Sequence, residues 1–312
     1  MIFFNNNLST SPYFNLALEE YFFKQLKEDS IILWRSKNAI VVGKHQNTLA
    51  EINMPYAQSQ NIEIARRLSG GGTVYHDLGN LNFTFIQTGE KDKLVDFTRF
   101  LNPIIKALAD LGVEAIQGKR NELLVDGKKI SGNAEHTFKN RVLHHGTLLF
   151  NTQLDVLIKS LRINPLKYQD KAIKSVQSRV VNLNKYLDIE FDQFRTSVSE
   201  SLKNQFAIEN DYELNQAQIE EIKNLEKEKY LTWEWNFGYS PTYGLSKSLS
   251  INDKEFIIKI FVKKGIISEI SLEGAQKSDL VAALKKLEGQ LHKPDVVKPF
   301  ANALGVDVME FF

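Results

Sequence analysis

Residues 65–77 read ARRLSGGGTVYHD: Arg66 and Arg67, then Gly70, Gly71 and Gly72, then a strand-like run of Thr73, Val74, Tyr75 and His76. Each glycine weakens a helix or strand by about 0.5–1 kcal/mol relative to alanine, so bare backbone at this point needs a reason. A plain flexible loop is one reading, but the flanking arginines and the following strand argue for another. Backbone amides beside guanidinium groups can receive phosphate oxygens and a carboxylate. The run is not a G-x-x-x-x-G-K-[ST] phosphate loop, which occurs nowhere in the chain. Nor is it a G-x-G-x-x-G dinucleotide loop, which would need glycine at Tyr75.

A second cluster surrounds Asp126-Gly127, a strong hairpin signal between NELLV and KKIS. A two-residue turn there sets Val125 opposite Lys128 and Leu124 opposite Lys129. Glu122, Leu124, Lys129 and Ser131 then share one face, with Asn121 on the other unless a bulge intervenes. A strand lysine is most often simply solvated, and Lys128 fits that reading better than Lys129 does. His144 and His145 are adjacent in a strand, so they point to opposite faces and are no metal pair. One of them faces a site and the other the core or solvent. Residues 166–183 gather Lys167, Lys171, Lys174 and Arg179, as a solvated charge run or as a mobile cover over phosphates. No G-x-S-x-G elbow and no Ser/His/Asp arrangement is visible.

These residues need a scaffold, and the chain is long enough for one. It has 312 residues, 43% hydrophobic and 25% charged, with a net charge of +1. Such balance gives no reason to expect nucleic acid. With no cysteine there is no disulfide, thiolate metal site or cysteine nucleophile, which suits a reducing cytoplasm. The N-terminus lacks signal-peptide character, and no apolar run reaches the ~20 residues that span a bilayer.

Ser11 and Pro12 open an amphipathic helix that carries Phe14, Leu18, Tyr21, Phe22 and Leu26. IILWR and AIVVG read as strands. TVYHD and LNFTFI read as a strand pair joined by a tight turn, with Gly79 free to take positive φ. Residues 94–111 read as a helix interrupted by Pro103 and ended by Gly112. HHGTLLFNT is a buried strand, and 152–161, 190–206 and 214–229 are helices. A boundary falls in NFGYSPTYG, residues 236–244. Beyond it strands at 247–252, 255–263 and 266–272, with a turn at Asn252-Asp253, and helices at 277–288 and 295–304 make a small α/β unit. The expected division is 1–240 and 241–312.

RRLSGGGTVYHDLGNLNFTF, KRNELLVDGKKISGNAEH, HHGTLLFN and SVQSRVVNL occur in this order, with FNLALEE and WEWNFG. Together they closely resemble lipoate–protein ligases of the lipoate-activating type, densely over residues ~10–240 and in size and element order beyond. The resemblance implies a class II synthetase-like α/β catalytic domain with a mixed sheet, as in biotin and lipoate ligases, plus a small C-terminal α/β accessory domain. It implies ATP and Mg²⁺, with lipoate activated as lipoyl-AMP and passed to a lysine of a lipoyl domain. The acceptors it implies are 2-oxoacid dehydrogenase complexes or the glycine cleavage H protein. Arg67, Gly72, Thr73, Val74 and Tyr75 would hold the nucleotide and adenylate. Gly70, Gly71, His76 and His145 would line the lipoyl pocket. Lys129 would touch the carboxyl oxygen and the α-phosphate and act as the catalytic cation. Lys174 and Arg179 would belong to a loop covering the adenylate, and Asn121 and Glu122 would stand where the family holds Mg²⁺. Glu122 replaces the aspartate of many relatives, and His136 the arginine of the best-known bacterial ones.

Rival readings are an octanoyl or lipoyl transferase, a transferase of preformed lipoyl-AMP, and a non-catalytic acyl-binding protein. The first typically needs a cysteine that this chain lacks. A biotin ligase would carry a Gly-Arg-Gly-Arg type loop where R-L-S-G-G-G stands.

Overall fold

The computed structural model describes residues 1–90, 94–161, 168–176, 178–252, 254–274 and 279–312. Lys167, Asp253 and the first two residues of the helix expected over 277–288 lie outside the described residues.

β1 (Ile2–Asn5) leads into α1 (Pro12–Lys24). The Ser11 hydroxyl accepts the Phe14 amide at 3.3 Å, and Pro12 takes a first-turn position whose N–H needs no partner. β2 (Ser30–Trp34), β3 (Ala39–Val42), α2 (Thr48–Glu51), α3 (Met54–Ser59), β4 (Glu63–Arg66), β5 (Val74–His76) and β6 (Asn80–Thr88) follow. Next come α4 (Phe97–Ala109), β7 (Ile116–Gln117), β8 (Leu123–Val125), β9 (Lys128–Ser131), β10 (Asn133–Phe138) and β11 (Arg141–Leu149). α5 (Leu154–Ser160), β12 (Tyr168–Asp170), α6 (Phe191–Gln205) and α7 (Gln216–Leu225) lead to the last part of the chain. That part holds β13 (Tyr243–Ile251), β14 (Lys254–Lys263), β15 (Ile266–Glu273), α8 (Asp279–Lys285) and α9 (Pro294–Ala303).

The central sheet is mixed and five-stranded, in the order β1-β2-β6-β11-β10, with β1 and β2 parallel and the other pairs antiparallel. β2 is buried along its whole length, so the sheet is covered on both faces. Ile31, Leu33, Phe83 and Phe85 pack under α4 and α6, while Ile32, Trp34 and Ile86 pack under α1. A second sheet, β4-β3-β5, stands beside it, and a β7-β8-β9 ribbon carries the Asp126-Gly127 turn. The C-terminal sheet has the order β12-β13-β14-β15. Its core joins Leu245, Ile258 and Ile260 to Ile40, Val42 and Leu49 of the N-terminal part.

Two local expectations do not hold. TVYHD and LNFTFI are both strands but do not pair with each other: β5 joins β3, and β6 joins β2 and β11. Gly79 between them is not at positive φ; a Cβ there would lie 2.1 Å from the Asn151 carbonyl, so close packing requires the glycine. α4 runs through Pro103 without interruption, though it does end as expected at Gly112, whose φ of +81° lets the Val113 amide reach the Leu108 carbonyl at 2.9 Å.

The joint between the second sheet and the chain after α7 is made by Arg66. Its guanidinium is fully buried and meets no carboxylate among the described residues. Nε donates to the Trp235 carbonyl at 3.0 Å, and Nη1 to the carbonyls of Gly43, Lys44 and Gln46 at 3.0, 3.0 and 2.8 Å. Nη2 donates to the Asn236 carbonyl and the Ser240 hydroxyl at 3.0 Å, and also to Thr48 Oγ1. Asn236 Oδ1 in turn accepts the Arg66 amide, and Trp235 Nε1 donates to its carbonyl. Burial pushes the Arg66 guanidinium down to about 10, against the pull of Tyr239. Lysine cannot reproduce a five-donor fork, so Arg66→Lys leaves buried carbonyls unpaired. We expect it to lose about 3 kcal/mol or more of stability, read as a lower urea midpoint. Lys37→Ala, which breaks the exposed 3.1 Å pair with Glu63, should cost at most about 1 kcal/mol.

Candidate functional site

A cavity of about 230 Å³ opens where β5, the ribbon and the inner strands of the central sheet converge. Leu16, Trp34, Val41 and His76 line its apolar part, while Arg120, Glu122, Lys129 and Lys174 make a charged part. Gly71, Gly72, Thr73, Val74 and His145 also line it, with Arg67 and Asn133 among the rest.

The triple glycine wraps a buried arginine. Arg67 Nη1 donates to the Val41 carbonyl at 3.0 Å, Nε to Ser69 Oγ at 2.9 Å, and Nη2 to the carbonyls of Gly70 and Gly72 at 2.6 and 2.7 Å. Turning those carbonyls inward requires φ +85° at Gly71, where a Cβ would also sit 3.1 Å from Arg67 Nη2. The bare backbone is thus first a response to Arg67. Burial pushes this guanidinium down to about 10, with Glu19 opposing.

Ser69 Oγ lies 2.6 Å from His145 Nε2, and His145 Nδ1 lies 3.0 Å from Glu19 Oε1. Thr84 Oγ1 donates to that Glu19 oxygen and accepts Trp34 Nε1 at 3.0 Å. A Ser/His/acid arrangement therefore exists, although the sequence shows none, because its members come from α1, the glycine loop and β11. Ser69 is fully buried, receives Arg67 Nε and is not part of the cavity wall, so the chain of bonds positions the wall and supplies no nucleophile. His145 faces the site as one member of the pair was expected to. His144 turns to the core, stacked on Phe83 and Phe100, with Nδ1 2.8 Å from Glu135 Oε1.

Lys129 stands as expected opposite Leu124, after a turn with φ +50° at Asp126 and +70° at Gly127. Beyond it the register slips: Leu123 faces Ser131, so Ser131 no longer shares the Lys129 face. The Lys129 amide donates to the Arg179 carbonyl at 2.8 Å, and its own carbonyl accepts Val181 N at 3.0 Å. Burial is the main reason that the Lys129 ammonium titrates below the ordinary lysine range; Glu122 opposes the shift, and Arg67 and Arg120 add to it. Lys128 is exposed, as expected of its face.

Other site residues fall elsewhere. The Tyr75 side chain lies on the far face of β5 and donates to Asn38 Oδ1 at 2.8 Å, so only its backbone is near the cavity. Gly70 gives its carbonyl to Arg67 and is not in the wall. Arg179 supports Lys129 through its carbonyl, with its side chain exposed and outside the wall. Lys174 does reach the wall, beside Ser175, the first residue of the SVQSRVVNL run, which had no role assigned to it. The Ser175 hydroxyl accepts the Thr73 amide at 2.9 Å, and both its hydroxyl and its amide donate to Glu51. Arg120 is likewise new.

Asn121 and Glu122 do not form a ready metal pair. At φ +60°, Asn121 turns Oδ1 to Gln117 Nε2 at 3.1 Å and its carbonyl to Asn133 Nδ2 at 2.8 Å. No cluster of three metal-ligating His, Cys, Asp or Glu side chains occurs among the described residues. Glu122 alone offers a carboxylate to the cavity, while its Oε2 accepts the Arg120 amide at 2.7 Å. One carboxylate with substrate phosphates and water is a usual magnesium environment, so the residues fit an ion that arrives with a triphosphate.

Comparison with known proteins places the chain clearly. Residues 11–203 match the lipoyl protein ligase A/B catalytic domain model. The chain is 39% identical over 280 residues to lipoate-protein ligase LplJ of Bacillus subtilis, covering 88% of this chain and 85% of that protein. It is 40% identical to lipoate–protein ligase 1 of Staphylococcus aureus, covering 88% and 84%. In fold it resembles a chain from a structural analysis of a bipartite lipoate protein ligase and its E2 lipoyl domain from Thermoplasma acidophilum. That match has TM-score 0.66 and 24% identity and covers 76% and 96% of the two chains.

The buried histidines make the site's charge state testable. Burial pushes His76 and His144 down to about 3 and His292 to about 4. Their folded values lie below the unfolded value of 6.5, so the unfolded chain binds more protons in between. The stability they contribute is full above about pH 6.5 and is lost as pH falls toward about 3–4. Glu135, raised to about 7 by burial and then by Asp96, works in the opposite direction. We expect the ring resonances of these three histidines to keep their neutral shifts from pH 8 to 5 in carbon–proton spectra. A midpoint near 6.5 for any of them would contradict its placement.

Proposed function

The chain belongs to the lipoyl protein ligase A/B catalytic-domain family, and we propose that this lipoate–protein ligase runs both half-reactions in the cavity around Lys129. In the first, a lipoate carboxylate oxygen attacks the α-phosphorus of ATP. The bond from that phosphorus to the bridging oxygen breaks, pyrophosphate leaves, and lipoyl-AMP forms. In the second, the neutral ε-amine of an acceptor lysine attacks the acyl carbon. An amide forms, AMP leaves, and the amine releases a proton.

The observation that carries this reading is the placement of Lys129. It is a half-buried cation in the cavity wall, which it shares with Gly71 and Gly72 of the glycine loop. Two anions that repel each other, a carboxylate and an α-phosphate, need such a compact charge between them. The chemistry is otherwise positioning and charge stabilisation, which suits a wall of amides and cations with no nucleophile. Arg120 and Lys174 are placed to take phosphate oxygens, and the backbone of Gly72, Thr73 and Val74 to approach the adenylate. Magnesium bound with the triphosphate supplies further charge neutralisation, and Glu122 is the residue that would hold it. The apolar part, with Gly71, His76 and His145, receives the acyl chain.

The acceptor in this reading is a lipoyl domain of a 2-oxoacid dehydrogenase complex or the H protein, and the compartment is the cytoplasm. No helix among the described residues is long and apolar enough to cross a membrane. Residues 241–312 act as an accessory unit, docked through the shared core around Leu245 and Ile40.

Lipoate-dependent exchange of labelled pyrophosphate into ATP, without acceptor, tests the first half-reaction directly. We expect exchange in the wild type; its absence at every lipoate concentration would favour a transferase of preformed adenylate. Lys129→Ala should cut adenylation by about 10²–10³ with little change in melting. Lys129→Arg should also fail, and Lys128→Ala should be near normal. Equal damage from Lys128→Ala would remove Lys129 from its role. Intact mass during turnover should show no acyl-enzyme, since no thiol exists to form one.

A further inference from the structure

A carboxylate that is no part of the cavity wall holds a piece of that wall in place. Glu51, the last residue of α2, is half-buried, and it accepts the hydroxyl of Ser175 and, at 3.2 Å, the Ser175 amide. Ser175 lines the cavity and Glu51 does not. Burial holds the Glu51 carboxyl above the ordinary carboxylate range, the Ser175 bonds oppose that rise, and no cation among the described residues acts on it. A neutral acceptor would satisfy a serine with less desolvation. The charge serves a stronger hold, since hydrogen bonds to a carboxylate are about twice as strong as neutral ones.

The Ser175 hydroxyl is where two stretches of wall meet. It donates to Glu51 and accepts the Thr73 amide at 2.9 Å and Gln46 Nε2 at 3.2 Å, which uses its one hydrogen and both lone pairs. Gly72 leaves room for it: a Cβ there would lie 3.2 Å from Ser175 Oγ and 3.3 Å from its Cα. Through this one atom the stretch that carries Lys174 is fastened to the glycine loop. The footing on α2 is firm. Thr48 Oγ1 donates to the Asn236 carbonyl at 2.6 Å and accepts Arg66 Nη2. Asn47 Nδ2 donates to Asp170 Oδ2 at 3.1 Å, and Asp170 ends β12, which pairs with β13 of the C-terminal sheet. The stretch from Asp170 to Ser175 is therefore tied to the α2 segment at both ends.

We propose that Glu51 is a positioning residue for adenylation: by holding Ser175 against the Thr73 amide, it sets Lys174 and the glycine loop at the separation that receives the nucleotide. The inference rests on the reading of the cavity given above. Lys174 is exposed and flexible, so the place of its ammonium depends on the backbone that carries it. A small misplacement of such a group costs binding out of proportion to the distance. The tie is made before the reaction and is unchanged by it. Its loss should therefore remove binding common to the ground and transition states, which raises KM and spares kcat.

The full chain is assayed for lipoate-dependent pyrophosphate release, with thermal melts of each variant. In Glu51→Ala and in Ser175→Ala, KM for ATP should rise about tenfold or more, with kcat and KM for lipoate within about threefold of wild type. The double variant should be no worse than either single one, because both remove the same tie. Glu51→Gln, which keeps one acceptor oxygen at the same reach, should fall between wild type and alanine. Hydrogen exchange without ligand reads the tie itself: the Thr73 amide should be protected in the wild type and exchange about tenfold faster in the folded single variants. If Glu51→Ala does not fold, Ser175→Ala and Glu51→Gln carry the comparison. An unchanged KM for ATP in a folded alanine variant would overturn the proposal. So would effects that add in the double variant, a Glu51→Gln variant no better than alanine, or a loss that falls on kcat alone. Pyrophosphate release by the wild type without lipoate would instead overturn the ligase reading beneath it, and the exchange of the Thr73 amide would still judge the tie.

Discussion

A guanidinium removed from water with no carboxylate to meet it is the constraint on which this structure turns. Desolvating Arg66 is costly, and the cost is offset only if every N–H finds an acceptor at once. Those acceptors lie on two segments, 43–48 and 235–240, which are also tied directly by Thr48 Oγ1 donating to the Asn236 carbonyl at 2.6 Å. The charge therefore dictates how the second sheet meets the chain that leads into the C-terminal sheet. Arg67, next in sequence, turns the opposite way and does for the glycine loop what Arg66 does for the joint. One strand end thus fixes both the frame of the molecule and one wall of its cavity.

Much of this was legible in residue types. Ser11-Pro12 announced α1, Asp126-Gly127 announced the ribbon, and adjacency alone set His144 and His145 on opposite faces. These are local signals, and local geometry decided them. What failed depended on partners distant in sequence. β5 and β6 look like a hairpin, but each finds a better neighbour in a different sheet, and Gly79 serves contact with Asn151 instead of a turn. The slip at Leu123 is a bulge that no alternation pattern announces. Glu19, Ser69 and His145 come from three separate segments, and a buried Glu19 among apolar neighbours on α1 was the one hint of them. Arg120 and Ser175 sit inside quoted motif runs, yet nothing in their residue types marked them for the cavity wall, and Glu51 lies outside every such run.

The cavity divides its work by dielectric and by charge. At one part cations outnumber the lone Glu122, leaving a positive field that anionic substrates complete. A protein-built metal cage would neutralise that field in advance. At the other part the polar groups are neutral or bonded among themselves, so a long apolar chain can enter without stranding a charge. Lys129 stands among those cations, and its lowered proton affinity reflects first its removal from water and then the neighbouring Arg67 and Arg120.

The chain's lack of cysteine bears on the substrate itself, and not only on the mechanism. Lipoate is a cyclic disulfide, open to attack by any thiolate within reach, with a mixed disulfide as the product. An enzyme that buries this ring beside a free thiol would risk being captured by its own substrate. The cavity wall carries imidazole and indole groups, neither of which can exchange with a disulfide. The redox state of the cargo is thereby insulated from the protein that attaches it, because no side-chain thiol can enter the cargo's disulfide chemistry.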